Sequence, residues 1–162
     1  MTICIVDTSA FCNVLDVPGK NQRRDEARAD LRDFIADGTD LLLPLAAVYE
    51  TGRHIAQLAD GRVRRATAES FIKQVDLALR GEAPWAPTPL PAAPDLAEWL
   101  AEFPEAAMVG KSLADLSMIK LWEDQCRRFE HRRVLIWTYD RADLGAYDRA
   151  ARTTIRLRPP RR

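Results

Sequence analysis

The chain has 162 residues, 47% of them hydrophobic, with 24 basic and 24 acidic side chains and a formal net charge of zero. This length suits a single domain over residues 1–162, and the charge balance by itself indicates no partner. Three cysteines without a C-x-x-C spacing and only two histidines argue against a disulfide framework, a zinc finger and a histidine-rich metal site. No leader-like start and no apolar run of membrane-spanning length is found, so we expect a cytoplasmic protein without membrane contact.

The first half of the chain predicts two buried strands and four helices. The strands are short apolar runs at residues 3–6 and 41–43, as expected of a parallel sheet. The helices are expected at 8–15 and 22–36, after Pro44, and at 63–79, with Gly38 ending the second. The residues predicted to face inward from these helices are Leu31, Phe34, Ile35, Val48, Gly52, Ile55, Ala59, Phe71, Val75 and Ala78.

The second half begins with a proline-rich connector at residues 81–94, which we expect to run in extended form over the surface. Asp95 with Glu98 predicts a capped helix start, and Ser112 predicts the start of a longer helix. A third strand is expected at 134–137, a short helix at 141–151 and a last strand at 154–157. The longer helix is expected to bury Leu116, Ile119, Trp122, Cys126 and Phe129.

Strands that alternate with helices predict an α/β fold, here a three-layer α/β/α sandwich with a mainly parallel central sheet. In such folds, ligands bind at the carboxyl ends of the strands.

Acidic residues stand at these strand–helix junctions. Asp7 follows the first strand directly, Glu50 lies one helical turn after the second, Asp115 opens a long amphipathic segment, and Asp140 and Asp143 follow the third strand. Two carboxylates about 4 Å apart repel by on the order of 4 kcal/mol at an effective dielectric constant of about 20. If the fold brings these groups together, a divalent cation is the expected counter-charge.

Each acid also has a structural interpretation. Asp7 is suited to cap the helix after the first strand, Ser112 with Asp115 forms a capping-box pattern, and Asp140 is suited to close a turn. Glu50 is less easily explained, because it lies beside the apolar stripe of its helix. Taken together, the acids favour a shared site, since independent caps need not all be acidic and lie at one sheet edge.

The residue types indicate which metal such a site would take. Carboxylates without cysteine or histidine favour Mg²⁺ or Mn²⁺. Ions of this kind stabilise charge on a phosphoryl group and activate water, which is the chemistry of phosphodiester hydrolysis.

Four segments, in chain order, resemble the motifs of the PIN-domain nucleases. They are IVDTS at residues 5–9, LP at 43–44 followed by Glu50, LADL at 113–116 with Ile119, and TYD at 138–140 with Asp143. The resemblance implies a Mg²⁺- or Mn²⁺-dependent ribonuclease, and within the VapC-like branch a toxin of a type II toxin–antitoxin pair. It also implies an RNA substrate, a cognate antitoxin and a homodimer.

Carried over by motif, the resemblance makes Asp7, Glu50 and Asp115 the metal-binding acids, with Asp140 favoured as the fourth and Asp143 as the second choice. Thr138 would orient the site by hydrogen bonding. Ser9 would contact a ligand water or a substrate phosphate, or cap a helix. The chain is longer than compact toxin members around residues 81–109, which makes the toxin role less secure than the nuclease role.

Three further side chains are weighed for RNA contact. Trp85 is the one tryptophan expected to be exposed and able to stack on a base. His54, one turn after Glu50, and Lys111, before the third motif, favour structural or solvated roles. The alternative function is a PIN-like module that binds protein or RNA without catalysis, and a haloacid-dehalogenase-like phosphatase is disfavoured because no second aspartate lies two residues after Asp7.

Overall fold

The computed structural model describes residues 1–140 and 142–152. Over these ranges the chain forms five strands and six helices. The strands are β1 (Thr2–Val6), β2 (Asp40–Leu43), β3 (Trp85–Pro87), β4 (Arg133–Trp137) and β5 (Asp148–Arg149). The helices are α1 (Thr8–Val14), α2 (Arg24–Ala36), α3 (Leu45–Ala56), α4 (Gly61–Leu79), α5 (Ala93–Met108) and α6 (Leu113–Arg128). The predicted α/β class is confirmed.

The five strands form one sheet in the order β3-β2-β1-β4-β5. β1 pairs in parallel with both β2 and β4, and β2 pairs in parallel with β3. Only β5 runs antiparallel, against β4. The chain therefore adds strands on one side of β1 first and then crosses to its other side.

The centre of the core is β1, whose residues Ile3, Cys4, Ile5 and Val6 are all buried. Parallel strands with helices packed on them are buried on both faces, which explains this continuous apolar run. Burial raises the pKa of the Cys4 thiol, so this cysteine stays protonated and acts as a small apolar side chain.

The expectation of a surface connector at 81–94 is wrong at its centre. Trp85 begins β3, is only 3% exposed, and packs edge-on against Phe11 with the ring centroids 5.3 Å apart. Proline is tolerated on an edge strand, because one side of that strand needs no hydrogen-bond donors. The proposed exposed, base-stacking role of Trp85 is therefore excluded by its burial.

The predicted helix at 141–151 is also wrong over the described residues 142–151. The chain forms turns there and then β5, whose Asp148 carboxylate pairs with the Arg133 guanidinium at 2.6 Å across the two strands. Leu144 enters the core, and Tyr147 O accepts a hydrogen bond from Ile136 N at 2.9 Å. The pairing of β5 with β4 thus determines the structure here more than the helical pattern of the segment does. The strand predicted at 154–157 lies outside the described residues.

The helix-start predictions have mixed outcomes. Ser112 caps α6 with a complete capping box, as the pattern predicts. Asp95 and Glu98 do not form one, because α5 already begins at Ala93 with Pro94 in its first turn.

Three side chains predicted to face inward are exposed. They are Ile35 near the end of α2, Ala59 beyond the end of α3, and Phe129, which lies just after α6. Each lies at or past the end of its helix, where the chain turns away from the sheet.

Within the described residues, no helix has both the length and the apolar character needed to cross a membrane.

Candidate functional site

Asp7 is the first residue after β1, and its side chain is 5% exposed. Its backbone N–H donates to Trp137 O at 3.0 Å, which continues the β1–β4 pairing one residue beyond the strand. Its side chain accepts from Ser9 N at 3.2 Å and so caps α1, as the structural interpretation predicts. A carboxylate does not have to be buried to cap a helix, however, and further hydrogen bonds hold the Asp7 carboxylate in place.

Two hydroxyl groups converge on the same oxygen of Asp7. Ser9 Oγ donates to Oδ2 at 2.6 Å, and Thr138 Oγ1 donates to it at 2.9 Å. Ser9 Oγ in turn accepts from Tyr139 N at 2.8 Å, and Thr138 Oγ1 accepts from Asp140 N at 2.9 Å. These bonds join the carboxyl end of β1 to the carboxyl end of β4.

The junction lies at the topological switch point of the sheet. From β1 the chain builds β2 and β3 on one side and then returns to add β4 on the other side. The connections after β1 and β4 therefore leave in opposite directions, and ligands of open α/β sheets bind in the crevice between them. Asp7 and Thr138 are the residues that directly follow β1 and β4 at this point.

The electrostatic state of Asp7 reflects two opposing effects. Burial raises the pKa of its carboxyl group above the ordinary value, while the hydrogen bonds from Ser9 and Thr138 lower it in part. A nearby cation would favour the charged form further, because the carboxylate is incompletely solvated.

Glu50 approaches the same place from α3. Its Oε2 accepts a hydrogen bond from Thr8 Oγ1 at 3.0 Å, and Thr8 is the residue directly after Asp7. Glu50 itself is half-buried, whereas the neighbouring Tyr49 is exposed. The structure thus brings Asp7 and Glu50, the first two acids of the predicted set, close together by way of Thr8. Nothing in the sequence indicates the contact between Thr8 and Glu50.

Asp115 is engaged in a different way. Its Oδ2 accepts from Ser112 N at 2.8 Å and from Ser112 Oγ at 2.7 Å, while its own N–H donates to Ser112 Oγ at 3.1 Å. The capping-box interpretation of this residue is therefore confirmed. Its helix α6 does contact both β1 and α3, the elements that carry Asp7 and Glu50.

The two candidates for the fourth acid are both exposed. Asp140 contributes its backbone N–H to Thr138 Oγ1, and its side chain closes no turn in the described residues. The Asp143 carbonyl accepts from Lys111 Nζ at 3.1 Å, and this ammonium also lies 5.5 Å from the Tyr147 ring centroid. Lys111 therefore links the start of α6 to the turn after β4, a tertiary role that sequence reasoning missed.

Tyr139 is a second residue whose role was missed. Its hydroxyl donates to Asp30 Oδ2 at 2.6 Å, and the Arg23 guanidinium lies 5.2 Å from its ring centroid. Burial and the bond to Asp30 raise the pKa of the phenol, so it remains a donor at neutral pH. Tyr139 thereby holds the Thr138 turn against α2.

His54, on α3, has its pKa lowered by burial and by the positive charges of Lys20 and Arg53. It is therefore neutral at physiological pH, which does not favour it as a phosphate-binding cation.

The donor chemistry of this crevice suits a hard divalent cation, but only in part. Across residues 1–140 and 142–152, no group of three or more Asp, Glu, His or Cys side chains is arranged to hold a metal. Mg²⁺ characteristically uses one or two carboxylates, retains several waters and takes its other ligands from substrate phosphates. Asp7 with Glu50 beside Thr8 fits that sparse type of site, whereas a cage of four carboxylates does not fit the observed positions.

No family model, curated protein or solved structure matches this chain with significance.

Proposed function

We propose that the protein is a Mg²⁺- or Mn²⁺-dependent ribonuclease of the PIN type, which hydrolyses phosphodiester bonds in RNA. The observation that carries this proposal is the buried Asp7 carboxylate, held at the switch point by Ser9 and Thr138 with Glu50 next to it. A buried carboxylate with a raised pKa, placed at the carboxyl ends of parallel strands, is characteristic of a functional site.

The sheet supports the fold part of the proposal. Four parallel strands with β1 at the centre, and long helices in each crossover, are compatible with a three-layer α/β/α sandwich of the PIN type. The four motif segments then stand after β1, after β2, at the start of α6 and after β4.

In this proposal, Asp7 and Glu50 would hold the divalent ion. The family resemblance assigns Asp115 and Asp140 to the same site, with Asp143 as the second choice for the fourth acid, although, within the described residues, the observed positions do not form a four-carboxylate cage. When bound, such an ion would supply positive charge and water activation at the scissile phosphate. Asp7 provides negative charge at a fixed position, because two hydroxyl donors determine the orientation of its carboxylate. Ser9 and Thr138 are positioning residues, since they act through Asp7.

The family resemblance also implies a role for the protein in the cell. As a VapC-like protein, the chain would be the cytoplasmic toxin of a type II pair, a homodimer inhibited by a cognate antitoxin.

The experiment is a cleavage assay on tRNA, rRNA and mRNA with wild type and Asp7→Asn, each with Mg²⁺, with Mn²⁺ and with EDTA. We expect cleavage by the wild type with either ion, none with EDTA, and a loss of at least about 10³-fold in Asp7→Asn. Asp33→Asn, an exposed acid on α2, is the matched control and should retain full activity. Full activity of Asp7→Asn would refute the assignment.

Two observations favour a second candidate, a PIN-like module that binds protein or RNA without catalysis. Asp115 is occupied by its capping box, and no three-acid cluster is arranged to hold a metal in the described residues. Calorimetry with Mn²⁺ separates the two functions. A nuclease must bind the ion and lose that binding in Asp7→Asn, whereas heat of binding that is absent, or unchanged in the variant, favours the binding module.

A further inference from the structure

Tyr49, on α3, has the most exposed aromatic ring of the chain. Among four tryptophans, three tyrosines and five phenylalanines it stands out with 70% exposure. The other two tyrosines, Tyr139 and Tyr147, each have a cation over the ring and a tryptophan at its edge. Across the described residues, no aromatic ring or cation is placed in this way against Tyr49. A single exposed aromatic residue is ordinary, so its role has to be inferred from its surroundings.

The position of Tyr49 on α3 connects it to the proposed site. It directly precedes Glu50, in the half of the helix that follows the carboxyl end of β2. With 3.6 residues per turn, Arg53 falls between these two around the helix axis, about 60° from Glu50 and about 40° from Tyr49. Glu50 is half-buried against Thr8, whereas Arg53 and Tyr49 are exposed. The three side chains therefore form a continuous band that leads from the site to the outer surface of α3.

The helix leaves room beside the Tyr49 side chain. Of the four positions three or four residues away, Leu45 is half-buried, Arg53 is the cation of the band, and Ala46 and Gly52 are small. Gly52 has no left-handed φ, and a Cβ added to it would meet no atom within 4 Å. Glycine within a helix is destabilising relative to alanine. Neither the backbone nor the described packing accounts for glycine at this position, but open space beside an exposed ring suits a planar ligand.

Positive charge accompanies this band. Arg53 and Lys20, which lies in the loop between α1 and α2, form no ion pair within the described residues. After the larger effect of burial, both charges lower the pKa of His54, one helical turn beyond Glu50. Both therefore act on the same flank of α3. An exposed ring beside unpaired cations has the chemistry that binds single-stranded nucleic acid, whose bases stack and whose phosphates are negative.

We propose that Tyr49 stacks on a base of the RNA strand, and that Arg53 binds the phosphate between that base and the bond to be cut. The inference rests on the proposed nuclease function, because it assumes that the strand passes Glu50. Unpaired bases are free to stack on an aromatic side chain, whereas those of a duplex are stacked on one another. The substrate class is therefore RNA with an unpaired segment at the cut. The stacking role that Trp85 cannot have, because it is buried, falls to Tyr49.

The test measures binding of a fluorescein-labelled adenosine RNA of about 12 nucleotides by fluorescence anisotropy, in EDTA so that metal-dependent cleavage cannot occur. The reference probe has the same backbone, with hydrogen in place of each base. We expect the wild type to bind the adenosine RNA at least about fivefold more tightly than the abasic strand, and Tyr49→Ala to lose most of that difference. Tyr49→Phe keeps the ring and should retain the preference.

Matched variants locate the contact. Phe129→Ala removes the other exposed aromatic ring of the described residues, just after α6, and should leave RNA affinity unchanged. Arg53→Gln should weaken binding and reduce the slope of log affinity against log salt concentration by about 0.7, the value for one phosphate contact on a single strand. Arg32→Gln, which removes an exposed arginine of α2, should leave that slope unchanged. Circular dichroism of each variant checks that it is folded.

Four results would overturn the inference. They are a wild type that shows no affinity for the RNA, unchanged affinity in Tyr49→Ala, equal weakening of Tyr49→Ala on the adenosine and abasic strands, and equal weakening by Phe129→Ala. A concentration-dependent dimer that Tyr49→Ala abolishes would also overturn it, because the ring would then contact a second copy.

The binding measurement needs neither metal nor cleavage, so its failure and that of the proposed function are distinguishable. Metal-dependent cleavage by a protein whose RNA affinity does not depend on Tyr49 would contradict only the stacking contact. Base-dependent binding through Tyr49 without any cleavage would contradict only the nuclease activity.

Discussion

Thr138 Oγ1 donates a hydrogen bond of 2.9 Å to Asp7 Oδ2, although the two residues are 131 positions apart in the chain. Each directly follows a strand, and those strands are neighbours in parallel register, with Val6 opposite Trp137. The bond therefore joins the carboxyl ends of β1 and β4 at the switch point of the sheet. The predictions about the site depend on this contact.

Removal of the Asp7 charge should stabilise the protein at neutral pH. Burial raises the folded-state pKa of Asp7 above its ordinary value, so the folded state binds more protons than the unfolded state as pH rises past about 4. The charged carboxylate consequently lowers the free energy of unfolding at pH 7, and Asp7→Asn should raise it. Urea unfolding from pH 4 to pH 8 should show a gain that shrinks as pH falls towards 4, and a gain that is the same at every pH would contradict this.

The hydroxyl of Thr138 should matter for both stability and cleavage. Thr138→Val keeps the shape but removes a donor to a buried carboxylate, which we expect to cost about 1.5–3 kcal/mol. RNA cleavage should fall at least about tenfold, since the carboxylate loses one of its two hydroxyl donors. Thr88→Val is a suitable control, because the hydrogen bond of Thr88 to Leu43 O comes from its backbone N–H. Equal effects of the two variants would contradict the positioning role.

The residues of this site could be predicted because the sequence patterns that mark them are local. An apolar β-branched run followed by Asp7, and another followed by Thr138, mark two buried strands and their ends without knowledge of the fold. The order of strands is not local information, so the switch point and the bond between the two residues emerge only from the structure. The link from Thr8 to Glu50 was missed for the same reason, since it joins residues 42 positions apart.

Two predictions were wrong because pairing with distant parts of the chain determined the structure of a segment more than its own composition did. Prolines around Trp85 indicate a connector, yet an edge strand tolerates them and the indole fills the space beside Phe11. Likewise, the helical pattern after Arg141 does not persist, because Asp148 and Arg149 find partners along β4. Neither partner is visible from the segment itself.

Trp85 should therefore act as a core residue and not as an RNA contact. Trp85→Ala should destabilise the protein by about 3–5 kcal/mol, because a large buried side chain leaves a cavity. Trp99→Ala, at a half-buried position on α5, should cost less. Chemical denaturation measures both, and a smaller loss for Trp85→Ala than for Trp99→Ala would contradict the packing described.

The capping role of Asp115 and the metal-binding role proposed for it can be separated with a variant of its capping partner, Ser112. Ser112→Ala removes the serine side of the capping box and should lower stability by about 1 kcal/mol while cleavage is retained. Asp115→Asn keeps an oxygen that accepts hydrogen bonds but loses the charge, so it should abolish cleavage with a smaller change in stability. Thermal unfolding and the RNA assay on the same two proteins provide the comparison. Normal cleavage by Asp115→Asn would leave Asp115 with the capping role alone.

The most direct test of the account is an anomalous difference map from a crystal of the wild-type protein soaked in Mn²⁺. We predict a peak in the crevice between the ends of β1 and β4, about 2.0–2.3 Å from a carboxylate oxygen of Asp7, and its absence in Asp7→Asn. A map without a peak there, or with a peak that persists in the variant, would contradict the claim that this crevice is a divalent-cation site.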